Sequence, residues 1–161
     1  MMAEASVVSG IKEGSMHKIP IIAKHPSSSS ELSLEEFLDV VIETNNFKGR
    51  RKGIKLNLSQ QEMVVPVLKT LRNRSEEISF PVWLSAEVIR GPVNAEDPTI
   101  DGEIFIADCL RYMPNVTLSL GWTTRYGWDD LRISKFFQYF NWWSKNILLS
   151  AFKDYNTQCM W

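Results

Sequence analysis

Two β-rich runs constrain this chain more than any other feature. PVWLSAEVIRGP (Pro81–Pro92) and VTLSLGWTT (Val116–Thr124) are apolar stretches that stop abruptly in polar, small, Gly or Pro residues. Such runs read as buried strands feeding loops. In parallel α/β architecture, chemistry gathers at the C-terminal strand ends. Attention therefore falls on Glu87, late in the first run, and on Trp122, Thr123 and Thr124, which close the second.

Helix-patterned segments alternate with strands along the chain. Met1–Val8 alternates, with Glu4 and Ser6 on one face and Ala5 and Val7 on the other. Ser9–Lys18 reads as an exposed turn-rich segment, Ile19–Pro26 as a second extended piece, and Ser27–Ser30 as a loop. Ser33 with Glu36 fits a capping box, and Leu34, Phe37, Leu38 and Val41 recur at helical spacing. Gly53–Leu58 (GIKLNL) is the next strand. Ser59 with Glu62 offers a second capping box, opening a helix with Val64, Leu68 and Leu71 toward the core. Phe80–Val88 is a strand and Gly91–Pro98 a loop. Ile100–Tyr112 is predicted helical, with Ile104, Ala107, Cys109 and Leu110 inward, and Val116–Trp122 is a further strand. This order predicts an α/β fold of parallel strands joined by right-handed crossovers.

Length and composition narrow the function classes. A chain of 161 residues, 44% hydrophobic and 23% charged, is in the range of one globular domain. Eighteen basic residues against 19 acidic ones leave a formal net charge of −1, which argues against nucleic acid as a partner. The basic run Lys48–Lys52 reads as a solvated loop leading into a strand. Two cysteines, Cys109 and Cys159, supply neither a disulfide framework nor a four-ligand zinc site. No secretory signal opens the chain, and no uncharged apolar run reaches the roughly 18–20 residues of a membrane span. No GxGxxG follows a strand and no P-loop occurs. The stretch from Leu131 to Trp161 differs in character, since Lys135–Phe152 places aromatic residues on every side of a helix. The sequence thus divides into an α/β part over residues 1–130 and an aromatic helical tail over 131–161.

With Glu4, His25, GIKLNL, WLSAEV-x-x-GP and LSLGWTT in view, residues 1–124 resemble the menorin domain family. That family is similar in turn to the phospholipase C-like, glycerophosphodiester phosphodiesterase-like TIM barrels. The resemblance implies a partial TIM barrel, about strands two to five of eight, with the last three strands replaced by the tail. It also exposes departures. The family's first strand carries a histidine in a His-Ala-x-x-Ser-like context, and this chain opens inside the second strand. Where the family's second strand reads Met-x-Glu-x-Asp, this chain keeps Glu4 but has Ser6. Its third strand, often GIKLD, has Asn57 at the carboxylate position, and the fourth has Glu87 where aspartate is common.

A phosphodiesterase of this type requires a divalent cation, Mg²⁺ or Ca²⁺, on carboxylates and a pair of histidines for acid–base work. The resemblance implies Glu4, Glu87 and Asn57 as its ligands, His25 and Lys55 as catalytic groups, and Trp122 and Thr123 at the pocket. The neutral side chains Ser6 and Asn57 weaken that set. Each residue also has a plainer role. An unpaired buried Glu4 is costly, so Lys55 is expected to pair with Glu4 or Glu87 in an ion-pair network. His25 precedes Pro26 and suits an extended loop, while His17 sits in a polar turn. Trp122 suits packing at the barrel mouth, and Thr123 and Thr124 suit capping the next element. Three functions remain open. By resemblance the chain is a non-catalytic domain acting through protein contacts in an extracellular or cell-surface setting, in neuronal (dendrite) patterning. The second is a metal-dependent glycerophosphodiester-type phosphodiesterase. The third is a truncated product without independent function, its unpaired barrel edges favouring dimers or aggregates.

Overall fold

The computed structural model describes residues 2–12, 17–24, 29–48, 52–92 and 94–124. Lys135–Phe152 and the tail proposed for 131–161 lie outside the described residues. The chain divides into two compact units, Met1–Ile89 with Asp97–Thr123 and Arg90–Glu96 with Thr124–Trp161.

The larger unit is an α/β arrangement around one mixed, mostly parallel sheet. In chain order its elements are β1 (Met2–Lys12), β2 (Lys18–Ile22), β3 (Ser29–Ser30), α1 (Leu34–Lys48), β4 (Gly53–Leu58), α2 (Gln61–Asn73), β5 (Val82–Ile89), α3 (Gly102–Tyr112) and β6 (Thr117–Trp122). The sheet order is β2-β1-β4-β5-β6, with β3 pairing β1 off this path. Strands β1, β4, β5 and β6 are consecutive and parallel, as the strand–helix alternation requires.

The sheet's two faces differ sharply. Ala5, Val7, Ile54, Leu56, Leu58, Val82, Leu84, Ala86 and Val88 are buried, while the residues between them are half-buried or exposed. The helices cover the apolar face. Leu34, Leu38 and Ile42 of α1, Val64, Val67, Leu68 and Leu71 of α2, and Phe105 and Cys109 of α3 complete that core. Gly102 admits α3 to close approach, since a Cβ there would meet Val88 Cβ at 3.1 Å.

Local chemistry fixes the ends of the helices. Ser33 and Glu36 form the expected reciprocal box at α1: Ser33 N–H donates to Glu36 Oε2 at 3.0 Å and Glu36 N–H to Ser33 Oγ at 3.3 Å. Lys12 also pairs with Glu36, so the box ties α1 to β1. Asn45, buried late in α1, donates to Lys52 O at 3.1 Å and accepts from Lys52 N–H at 2.8 Å, closing the connection to β4. Asp101 caps α3 by accepting from the N–H groups of Glu103 and Ile104.

Several sequence expectations are corrected. The first strand continues to Lys12 through a segment expected to turn, because β2 pairs it antiparallel from Val7↔Ile22 to Ile11↔Lys18. The second extended piece is therefore an antiparallel neighbour, not a parallel strand. Ser29–Ser30, read as loop, bridges β1 at Ile11 and Lys12. The Ser59–Glu62 box does not form: Gln60 is the N-cap of α2 without a side-chain cap bond, and its Oε1 accepts from Ser9 N–H at 2.6 Å instead. On α3, Ile104 and Leu110 are exposed, while Phe105 and Cys109, one turn apart, face inward.

In the smaller unit, Arg90 Nε donates to Ala95 O at 2.9 Å around Asn94, whose φ of 55° is a left-handed conformation asparagine tolerates.

Candidate functional site

The face of the sheet away from the helices carries the polar residues. Register places Glu4 beside Lys55, Lys55 beside Trp83 and Trp83 beside Thr117, one row across four strands. The next row is Ser6, Asn57, Ser85 and Ser119. Alternation along each strand puts both rows on the side opposite the core.

Three of the expected site residues converge. Lys55 Nζ donates to Glu4 Oε1 at 3.2 Å, and Asn57 Nδ2 donates to the same oxygen at 2.8 Å. The Asn57 amide, followed by the Lys55 ammonium, lowers the Glu4 carboxyl below its ordinary range. The side chain of Glu4 is 57% exposed and that of Lys55 29%. Glu4 is thus not on a buried face, and no uncompensated buried charge has to be explained there.

Glu87 shares the face but stands apart. It lies four residues beyond Trp83, which is level with Glu4, and two strands across. At ~3.3 Å per residue and ~4.8 Å per strand, that is about 16 Å between Cα atoms. Its neighbour across the ladder is Gly121, just before a register shift between Glu87 and Ile89. Trp122 ends β6 opposite Ile89 and is 39% exposed. Thr123 N–H donates to Ile89 O at 2.9 Å, extending the ladder by one bond. His25 lies outside the described residues, and His17 is exposed.

A divalent cation needs several oxygen donors, with carboxylates supplying most of the charge. Here one Glu4 oxygen already accepts from an ammonium and an amide, both of which present hydrogen to it. Among the described residues no three His, Cys, Asp or Glu side chains group closely enough to hold a metal ion. The described donor set does not fit a resident divalent cation. What the arrangement can do is present a neutralised polar patch with an exposed aromatic, Trp83, beside it.

Sequence reading missed Trp83, Ser85 and Ser119 as members of this face. The signal was present: stepping back by two from Glu87 reaches Ser85 and Trp83.

The Menorin N-terminal domain family model matches residues 1–141 of the chain. The chain is similar to human Protein FAM151B (Homo sapiens), 35% identical over 134 residues, which is 83% of this chain and 45% of that relative. It therefore spans less than half the length of that relative. No solved structure matches. With the strand order β1-β4-β5-β6 and the Glu4, GIKLNL, WLSAEV and LSLGWTT segments all inside the matched range, the chain belongs to the family of the Menorin N-terminal domain.

Proposed function

We propose that this chain is a menorin-family domain that acts by contact with other proteins, at the cell surface or outside the cell, and not by turnover. In this reading its sheet is an arc of a TIM-type barrel, about strands two to five of eight, whose polar face is the barrel interior. Four consecutive parallel strands, with the helices of the described residues on one side, support the arc. The extracellular, neuronal setting rests on the family resemblance.

One observation carries the non-catalytic part: the Glu4 carboxylate is engaged by Lys55 and Asn57 in place of a metal-binding constellation. A phosphodiesterase with that pairing would have to bind its cation through the other Glu4 oxygen, close to the Lys55 ammonium, or break the pairing. Phosphomonoester release from glycerophosphodiesters at millimolar Mg²⁺ or Ca²⁺ is the direct assay. Both the chain and its Glu4→Gln variant are expected to stay at background. Metal-stimulated turnover that disappears in Glu4→Gln would overturn the reading.

A further inference from the structure

The triplet Asn-x-Ser/Thr occurs three times: Asn57-Leu58-Ser59, Asn73-Arg74-Ser75 and Asn115-Val116-Thr117. With any residue but proline in the middle, it is the acceptor for N-linked carbohydrate in a chain that enters the secretory route. In that transfer the asparagine amide nitrogen attacks C1 of an oligosaccharide carried on a lipid diphosphate. A C–N bond forms as the C–O bond to the diphosphate breaks. The lipid diphosphate leaves with the electron pair, and the amide nitrogen gives up one proton. The folded protein then has to leave room for a bulky, hydrated sugar beside that nitrogen.

The three triplets differ in whether the fold leaves that room. Among the described residues, Asn115 is exposed at the tip of a turn. Val116 N–H donates to Met113 O at 3.0 Å, which sets Pro114 and Asn115 as the two central residues of that turn. Thr117, whose hydroxyl completes the triplet, is exposed where β6 begins. Asn73 is exposed as the last residue of α2, and Ser75 is exposed in the turn that follows. Arg74 between them is held by Asp39 at 2.7 Å and Glu77 at 2.6 Å. Asn57 is the opposite case. It is half-buried within β4, between Ser6 and Ser85 of the neighbouring strands, and its Nδ2 donates to Glu4 Oε1 at 2.8 Å. A sugar on that nitrogen would have to fit inside this row of side chains.

The two exposed triplets lie in the helix-to-strand connections of the larger unit, α2 to β5 and α3 to β6. Since β5 and β6 are parallel neighbours, both connections stand at the N-terminal end of the strands. Glu87 and Trp122 lie toward the other end. We infer that Asn73 and Asn115 are acceptors for N-linked carbohydrate, and that Asn57 is not. The inference rests on the proposed cell-surface or extracellular setting. It deepens that reading by placing the sugars at the end of the sheet away from Glu87 and Trp122.

The test is synthesis of the full chain with microsomal membranes, behind a cleavable export signal. Signal cleavage and protection from added protease verify entry, and the soluble, signal-cleaved chain is then compared on gels. It should run larger by two carbohydrate units and return to a single band after treatment with a peptide N-glycosidase. Asn73→Gln and Asn115→Gln should each remove one unit, and the double variant both. Ser75→Ala and Thr117→Ala, which keep the asparagines, should do the same. Ser59→Ala destroys the remaining triplet and should leave the size unchanged. A protected chain that lacks sugar at Asn73 or at Asn115 overturns the inference, and so does a unit lost in Ser59→Ala. Neither result touches the proposed setting. If the membranes add both units but the protein isolated from its own cells carries none, the setting fails and the two acceptor sites stand.

Discussion

The two faces of one sheet teach opposite lessons from residues one step apart. Ala5, Leu56 and Leu84 sit level on the helix side and are buried. Ser6, Asn57 and Ser85, each the next residue along, form a polar row on the other side. Burial excludes charge from the first face, so its chemistry is that of packing alone. The second face tolerates Glu4, Lys55 and Asn57 because water reaches them and because they satisfy one another. Among the described residues, the polar side chains that could do chemistry lie on the side away from the helices.

Substitutions can break this contrast in graded fashion. Leu84→Ala empties a fully buried site and should cost about 2–5 kcal/mol in denaturant unfolding. Its neighbour Ser85→Ala should change stability by less than about 0.5 kcal/mol. Equal costs at the two positions would mean that the faces are not distinct. Asn45→Ala removes a buried side chain and leaves the part-buried Lys52 carbonyl and N–H without their side-chain partner, and should cost about 1–3 kcal/mol.

The thiol of Cys109 sharpens the same contrast by chemistry. Burial, then the nearby Asp108 charge, pushes it up to about 12 from an ordinary 9.0. In a Cys159→Ser background at pH 8, native Cys109 should react with a thiol reagent about a thousandfold more slowly than the unfolded chain, following its thiolate fraction. Equal rates would place Cys109 outside the core.

A smaller effect concerns Glu36, held at about 2 against an ordinary 4.5, first by Lys12 and then by Ser33. Its folded value lies below its unfolded one. Its stabilisation is therefore complete above about pH 4.5 and fades as pH falls toward 2. Glu36→Gln should flatten that part of the stability–pH curve. An unchanged curve would show that the tie between β1 and α1 is not made in solution.

Much of the architecture was legible in the residues. GIKLNL and its neighbours alternate apolar with polar at period two, and the Ser33–Glu36 box marks a helix start through reciprocal hydrogen bonds. What escaped was decided by tertiary contacts. Ser9, Gly10 and Ile11 carry turn-like composition, yet remain extended because β2 supplies an antiparallel ladder. Gln60, not Ser59, holds the cap position of α2, and its side chain accepts from Ser9 N–H across the fold instead of capping the helix. On α3 the inward residue is Phe105 and not Ile104, a difference of one position that the apolar pattern alone leaves open. At the site, the Glu4–Lys55 pairing followed from shared strand parity. The separation of Glu87 from Glu4 required the register, which only the sheet reveals.

Lys55 and Asn57 satisfy the Glu4 carboxylate from within the sheet. Carbon-detected NMR of the glutamate carboxyl groups, followed through a Mg²⁺ and Ca²⁺ titration to millimolar concentration, tests it directly. The Glu4 resonance should stay unmoved by either ion and titrate below the ordinary glutamate range, rising toward that range in Lys55→Met. A saturable shift of the Glu4 and Glu87 carboxyls with added metal would contradict the claim.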